Sequence, residues 1–172
     1  MEIDIETAKA EGADAVVIGL LQADGAIDVQ RTQWLMALAR PMKVTFHRAF
    51  DMTPDPFAAL ETLIDLGIER VLTSGQEANV LEGLPLITEL VAKAGNRIIV
   101  MPGGGITERN VTRIAAAAQP KEIHFAALAL VAGDMTFRRG HVFMGGELRP
   151  PEYDRLVTSA ATIRLVMAKS AG

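Results

Sequence analysis

Short apolar runs, each the length of a β-strand, recur at a steady interval along this chain of 172 residues. Their starting points lie 28, 27, 27 and 25 residues apart, at Ala15, Lys43, Arg70, Arg97 and Glu122. The runs are rich in β-branched residues and apolar almost throughout, as in "AVVIGL" and "RIIVM". Strands with this composition are covered by other elements on both faces. The pattern therefore predicts five parallel strands inside an α/β domain.

The segments between these runs have the period and the end signals of amphipathic helices. In "DPFAALETLIDLG", Asp55 is placed to cap the first turn, Pro56 takes the first helical position and Gly67 follows the last one. Three further helices are predicted from similar signals, which are a cap at Asp28, Pro85 with Gly95, and a cap at Thr107. Residues 133–155 break the pattern because they are rich in Gly, Arg and Pro, and "YDRLVTSAATIRLVMAK" then predicts a closing helix.

The regular alternation of strands and helices predicts right-handed βαβ crossovers and a parallel sheet. Two architectures contain this unit, a doubly wound sheet and a (β/α) barrel, and a barrel requires eight units and about 250 residues. Five strands fit an open sheet or part of a barrel, and the period alone does not separate the two. No linker divides the chain, so residues 1–172 are predicted to form one domain.

Composition and charge exclude several classes of function. A net charge of −4 argues against nucleic acid as a partner, because binding to the phosphate backbone requires a basic surface. No apolar run approaches the roughly 20 residues that cross a bilayer, and the acidic N-terminus lacks the pattern of a signal peptide. The absence of cysteine excludes disulfides, thiolate metal ligands and cysteine nucleophiles. We therefore expect a cytoplasmic protein that contacts neither nucleic acid nor a membrane.

The stretch "KVTFHRAFD" places four polar residues, Thr45, His47, Arg48 and Asp51, at the end of the second predicted strand. Parallel α/β folds bind ligands beyond the carboxyl ends of their strands. An imidazole beside an arginine suits a general acid or base, and the arginine can orient an anion. We treat His47, Arg48 and Asp51 as candidate catalytic residues and Thr45 as a candidate ligand contact. The alternative is a core histidine bonded to a neighbouring strand.

Other strand ends carry candidate ligand-binding groups. In "MPGGGIT", Gly103, Gly104 and Gly105 can present backbone N–H groups to an anion ahead of a predicted helix. The alternative is a tight turn that needs glycine at positive φ. Polar candidates at the ends of the third and fifth strands are Thr73, Ser74, Gln76 and His124. Hydroxyls at such positions can also satisfy the loop backbone instead of a ligand.

Sequence patterns do not identify a metal site. The histidine spacings HxH, HxxxH and HExxH are absent, and so are the phosphate-binding P-loop and the nucleophile elbow of serine hydrolases. The metal ligands, if any, are left unassigned.

The strand-end strings, in this order, resemble the CutC family of copper homeostasis proteins. They are "GLLQADGAIDVQR", "VTFHRAFDMTPDPFAALETLIDLGIERVLTSGQ", "IIVMPGGGITERNV" and "EIHFAALA", and the tail "EYDRLVTSAATIRLV" resembles the closing helix of the family. The resemblance implies a cytoplasmic TIM-like (β/α) barrel and a role in copper homeostasis. Copper is the only cofactor that it implies.

The chain departs from the family pattern in two places. The family begins with further strand–helix units, including strings like "LEIC" and "RPRGGDF", which this chain lacks. At "HFAALA" the family more usually has a serine-containing string. We therefore expect a partial CutC-like (β/α) barrel of about five parallel strands with flanking helices, lacking the N-terminal strands of the family. Its first strand would be an exposed apolar edge, which predicts a homo-oligomer.

Two functions remain open at this point. The first is the role in copper homeostasis that the resemblance implies. The second is that of an enzyme or sensor for a small phosphorylated or carboxylated metabolite. In that case Gly103, Gly104 and Gly105 would bind the anion, His47 would act as acid or base, and Arg48 would orient the ligand.

Overall fold

A computed structural model describes residues 1–142 and 152–170 of the chain. Helices and strands alternate from the N-terminus, as the sequence predicts. The elements are α1 (Glu2–Ala10), β1 (Ala15–Ile18), α2 (Val29–Ala39), β2 (Lys43–Phe46), a 3₁₀ helix (Arg48–Met52), α3 (Pro56–Leu66), β3 (Arg70–Thr73), α4 (Leu84–Ala94), β4 (Ile99–Pro102), α5 (Val111–Ala118), β5 (Leu128–Ala132), β6 (Asp154–Thr158) and α6 (Ala160–Ser170).

Strands β1 to β4 form one parallel sheet in chain order. Val17 pairs with Thr45, and Thr45 pairs with Arg70, so these three side chains share the face that points away from the helices. The alternate residues Val44 and Phe46 are fully buried in the core between the sheet and the helices. The predicted α/β fold with parallel strands and flanking helices is confirmed.

Helices α2, α3 and α4 begin and end where their sequence signals indicate. The Asp55 carboxylate accepts hydrogen bonds from the N–H groups of Phe57 and Ala58, and Gly67 ends α3 with φ of 76°. Asp28 caps α2 through the N–H of Arg31 at 2.9 Å. A cap of this kind stabilises a helix by about 1 kcal/mol, and the buried stripe of each helix adds more.

The predicted fifth strand is the first correction to the fold. "EIHFA" does not form a strand, and its backbone pairs with the sheet only through an isolated parallel bridge between Gly103 and His124, in the part of the chain that the structure describes. The reason lies in β4, whose backbone turns away at Gly104 with φ of 127°. Only Gly103 is then left to pair with the fifth segment.

The tail is the second correction, because the predicted closing helix is shorter than expected. Leu156 lies in β6, which pairs antiparallel with β5 as a separate sheet, and Leu130 is its partner residue. Helix α6 begins only after Ser159, whose hydroxyl accepts a hydrogen bond from the N–H of Thr162 at 3.2 Å. Residues 143–151 of the predicted irregular segment and residues 171–172 lie outside the described residues, so the single domain over 1–172 stays a prediction.

The start of α5 is the third correction. The predicted cap, Thr107, instead accepts a hydrogen bond from the N–H of Arg109 in a turn, and its own N–H donates to Asn110 Oδ1. The helix proper begins at Val111. The helix therefore begins three residues farther from the glycine loop than a cap at Thr107 indicates.

Strand β1 is an open edge in the part of the chain that the structure describes. It pairs with β2 on one side and has no partner strand on the other. The Val17 side chain is 61% exposed there. The association of this edge with a second copy stays a prediction. Among the helices described, none is both long enough and apolar enough to cross a membrane.

Candidate functional site

A cavity of about 420 Å³ lies at the carboxyl ends of β3 and β4, where the sequence places the site. Its lining comprises the glycine loop (residues 103–105) with its neighbours, a residue of β3, and residues 124–126, the segment that forms the bridge to Gly103. The lining residues are Arg48, Leu72, Gly103, Gly104, Gly105, Ile106, Thr107, His124, Phe125 and Ala126. Five of these ten, Arg48, the three glycines and His124, are candidates from the sequence.

Arg48 is held at the wall of the cavity by three hydrogen bonds. Its Nε donates to Asp51 Oδ2 at 2.7 Å, and its Nη2 donates to Ser74 Oγ at 2.5 Å and to the Glu77 carbonyl at 3.4 Å. Its remaining nitrogen, Nη1, has no partner among the described residues. A Cβ built on Gly104 would lie 3.4 Å from Nη1, so this free donor is adjacent to the glycine loop.

Asp51 is the centre of a buried hydrogen-bond network. Its carboxylate accepts hydrogen bonds from Thr73 Oγ1 at 2.5 Å and from the Ser74 N–H at 3.0 Å. It also accepts from the Gln76 N–H at 3.2 Å, besides the bond from Arg48. Burial alone would raise the pKa of the Asp51 carboxyl, but the hydrogen bonds from these four residues outweigh burial and lower its pKa below the ordinary value.

This network places Asp51 behind the cavity wall instead of in the cavity. The side chain is 7% exposed and is not part of the lining. Both carboxylate oxygens are occupied by protein donors. The geometry therefore gives Asp51 a positioning role, since it fixes Arg48 and the loop after β3 relative to each other.

At the glycine loop, two carbonyl groups already accept hydrogen bonds, whereas three backbone N–H groups have no acceptor among the described residues. The Gly104 carbonyl accepts from the Val80 N–H at 3.0 Å, and the Gly105 carbonyl accepts from Asn110 Nδ2 at 2.8 Å. The N–H groups of Gly104, Gly105 and Ile106 find no acceptor within residues 1–142 and 152–170. A loop with this pattern is suited to bind an anion, because three donors remain for it.

Gly103 differs from the other two glycines because its N–H is already used. It donates to the Thr73 carbonyl at 2.9 Å and so extends the β3–β4 ladder. A Cβ at Gly103 would lie 2.5 Å from Leu72 Cδ1 and 3.1 Å from His124 Cβ. A side chain at this position would therefore displace the end of Leu72, and Ile106 supplies the third free N–H beside those of Gly104 and Gly105.

His47 lies outside the cavity lining. Its Nδ1 accepts a hydrogen bond from the Ala49 N–H at 3.0 Å, which places the proton of the neutral ring on Nε2. The ring packs on Gly19, where a Cβ would lie only 2.4 Å from it. The geometry gives His47 the role of a cap for the 3₁₀ helix, and its ring bonds this local backbone instead of a neighbouring strand.

The remaining sequence candidates hold the loop that follows β3. Thr73 Oγ1 accepts from the Gly75 N–H at 2.8 Å, and Gln76 Nε2 donates to the Thr53 carbonyl at 2.6 Å. Gln76 has φ of 58°, a left-handed conformation that is costly outside glycine and is held here by hydrogen bonds from its backbone N–H to Asp51 and from its side chain to Thr53. Thr45 is buried on the strand face opposite the helices and is not part of the cavity lining.

Two contributors to the site carry no sequence signal of their own. Ile106 offers only a backbone N–H, and Glu77 offers only a carbonyl that accepts from Arg48 and from Ser74 Oγ. Apolar residues of the lining, Leu72 and Phe125, likewise resemble ordinary core positions. A search for charged or polar side chains does not detect groups of this kind.

A metal centre is not evident in the described part of the chain. The structure contains no group of three or more His, Asp or Glu side chains there that could hold a metal ion. His124 and His47 lie on different elements and share no acidic neighbour that would complete a ligand set.

Comparison with known proteins relates this chain to one family. Residues 1–129 match the model described as "CutC family". A human copper homeostasis protein cutC homolog is 51% identical over 168 residues, which cover 98% of this chain and 62% of the human protein. A family protein CutC of Chromobacterium violaceum is 48% identical over 164 residues, which cover 95% of this chain and 66% of that protein.

A structural comparison gives the same relation. The crystal structure of a CutC protein from Streptococcus agalactiae matches with a TM-score of 0.68 at 33% identity, covering 72% of this chain and 60% of that chain. The parallel sheet with flanking helices is consistent with a partial TIM-like (β/α) barrel. This chain spans less than two thirds of the length of the human relative. Given the matched model and these identities, the chain belongs to the CutC family.

Proposed function

We propose that this protein takes part in copper homeostasis, as the names of its human and mouse relatives indicate. The observation that carries the proposal is the identity of 51% to the human relative over 98% of this chain. We further propose a cytoplasmic location, which is supported by a sequence that contains no cysteine.

A gene-deletion strain tests the copper role directly. We expect the concentration of copper that halves the growth rate to change on deletion and to be restored when the gene is returned on a plasmid. Zinc and cobalt series serve as controls for general metal stress. Unchanged copper tolerance in the deletion strain would contradict the role.

Binding of copper by the protein itself is a separate proposal, more specific than a role in copper homeostasis. It has no support from side-chain clusters in the described residues. Titration of the purified protein with Cu(I) against a chromophoric chelator measures it, because a protein site lowers the absorbance of the chelator complex in a stoichiometric step. If the absorbance is the same as for the chelator without protein, the protein does not bind Cu(I). Its role in copper homeostasis would then be indirect.

A second candidate function, an enzyme or sensor for a small anionic metabolite, is favoured by the cavity itself. Among the described residues, three residues with unpaired N–H groups and Arg48 with its free Nη1 line one cavity of about 420 Å³. Cavities that bind small molecules typically have volumes in this range. The donors would hold a phosphate or carboxylate group, and the apolar lining would contact the rest of the metabolite.

The Arg48→Gln variant tests this anion site. We expect its affinity for inorganic phosphate, measured by isothermal titration calorimetry, to fall about tenfold or more, because a charge-assisted hydrogen bond contributes about 1.5–3 kcal/mol. The matched control is Arg97→Gln, which removes an ion pair to Glu61 on the outer helical surface. Equal phosphate affinities for the two variants would reject Arg48 as an anion contact.

A further inference from the structure

We propose that the ligand of the glycine loop is a phosphate monoester and that His124 contacts its phosphate group together with Arg48. The inference deepens the anion site of the second proposed function and rests on it. It assigns a phosphate monoester as the class of ligand. It also names His124, instead of His47, as the histidine that contacts the ligand.

The number of free hydrogen-bond donors in the cavity lining fits a phosphate better than a carboxylate. Three N–H groups of residues 104–106 and Nη1 of Arg48 have no partner in the described chain. Neither ring nitrogen of His124 has a hydrogen-bond partner there either. A carboxylate offers two oxygens to such a set, whereas a phosphate monoester offers three non-bridging oxygens. The larger set of donors matches the phosphate.

The ionisable side chains of the cavity lining also fit a phosphate. Arg48 and His124 are the two ionisable side chains in the lining of the cavity. Arg48 is already paired with Asp51 at 2.7 Å, so its charge is largely balanced before a ligand arrives. A phosphate monoester carries a charge between −1 and −2 near neutral pH, since its second pKa is about 6. The imidazole of His124 is the other ionisable side chain of the lining, and its ring N–H can donate a hydrogen bond to the phosphate.

The position of His124 beside the glycine loop also supports its contact with the ligand. The His124 ring lies against Gly103, where a Cβ would be 3.3 Å from His124 Cδ2. The parallel bridge between the same two residues fixes this proximity through the backbone. Because Gly103 directly precedes the residues with free N–H groups, the imidazole lies close to them in sequence and lines the same cavity. His47, in contrast, has its Nδ1 occupied by the Ala49 N–H and lies outside the lining.

The remaining walls indicate the organic part of the ligand. Leu72, Phe125 and Ala126 are apolar and line the same cavity. They offer contact to a carbon skeleton and no charged partner for a second ionic group. The phosphate would therefore anchor a small ester whose body is largely uncharged.

The test uses inorganic phosphate and acetate as probes of the two anion classes. The chain has three histidines, so selective isotope labelling gives three ring signals that single substitutions assign. We expect phosphate to shift the ring signal of His124 and the amide signals of residues 104–106, and to leave the signals of His47 and His141 in place. We expect acetate to bind at least tenfold more weakly than phosphate. This measurement needs no variant to bind the ligand.

Variants give an independent readout by calorimetry. His124→Asn is expected to weaken phosphate binding about tenfold, and His141→Asn, which changes an exposed residue far along the chain, is expected to leave it within twofold. Thermal unfolding of both variants checks that they are folded. A His124→Asn protein that binds phosphate like the wild type would overturn the proposal, and so would acetate binding as tight as phosphate binding.

The outcomes separate this inference from the function on which it rests. Phosphate that shifts the amides of residues 104–106 without moving the His124 ring would reject the role of His124 and keep the anion site. A wild-type protein that binds neither phosphate nor acetate would reject the anion site and the inference with it.

Discussion

The Asp51→Ala variant is expected to unfold with a free energy lower than that of the wild type by about 3 kcal/mol or more. The carboxylate serves donors of Thr73, Ser74 and Gln76, and the first two of these residues are fully buried. Without Asp51 these donors remain in the interior without an acceptor, and each one costs about 1–3 kcal/mol. Urea denaturation followed by circular dichroism measures the difference.

The control for Asp51 is Asp24→Ala. Asp24 accepts one backbone hydrogen bond, from Ala26 in an exposed turn, so its removal is expected to cost less than about 1 kcal/mol. If the two variants were equally stable, the network around Asp51 would not be the structural centre that its contacts indicate.

The same residue predicts how stability depends on pH. Because the pKa of Asp51 is lower in the folded chain than in the unfolded chain, its contribution is complete above the unfolded value of about 3.9. The contribution is lost as the pH falls toward and through the folded pKa. We therefore expect Asp51→Asn to lose less stability than the wild type between pH 6 and pH 3. Parallel losses in both proteins would contradict this.

The main elements of the fold could be predicted from the sequence because their signals are local. Val44 and Phe46 alternate with the polar residues Thr45 and His47, which places the apolar pair on one face of a strand, against the helices. Asp55, Pro56 and Gly67 mark the two ends of α3 by their own chemistry, and the structure has the helix between them. Neither conclusion depends on residues far away in the chain.

The errors concern features that depend on partners. "EIHFA" has the composition of a strand, but a strand also needs a neighbour, and β4 turns away at Gly104 after offering one residue. Leu156 was assigned to a helix by its period, although pairing with Leu130 places it in β6. A single sequence does not state which backbone will be available for pairing.

The candidate site shows the same division. The sequence predicts a site at the strand ends, because "TFHRAFD", "TSGQ" and "MPGGG" all follow strands of one parallel sheet, and a cavity lies there in the structure. It does not distinguish Arg48, which lines the cavity, from Asp51, which holds Arg48 in place behind it. That distinction depends on hydrogen bonds between residues more than 20 positions apart, such as the bond from Thr73 Oγ1 to Asp51.

A second large effect is expected for Gly83→Ala, although glycine is not needed there for its backbone conformation. Gly83 has φ of −81°, which any residue adopts. A Cβ at this position would lie 1.9 Å from the Ser74 carbonyl oxygen and 2.8 Å from Gly75 Cα. Because the obstacle is backbone and not a flexible side chain, the loop between residues 74 and 83 must open. We expect a loss of about 3 kcal/mol in the free energy of unfolding.

The effect should extend from stability to binding, because this loop supports the candidate site. Ser74 Oγ accepts from Arg48, and the N–H of the fully buried Val80 donates to the carbonyl of Gly104. Displacing the Ser74 backbone therefore disturbs both Arg48 and the glycine loop. We expect Gly83→Ala to weaken phosphate binding at least tenfold at a temperature where the variant is still folded.

Gly140→Ala is the matched control for Gly83→Ala. A Cβ at Gly140 meets no atom within 4 Å, so the same chemical change is expected to alter the free energy of unfolding by less than about 0.5 kcal/mol and to leave phosphate binding unchanged. Equal stabilities for the two variants would mean that Ser74 and Gly83 do not approach as closely as the structure shows. Loss of stability without loss of phosphate binding would instead separate the loop from the site, and would place the anion on the glycine loop without help from Ser74.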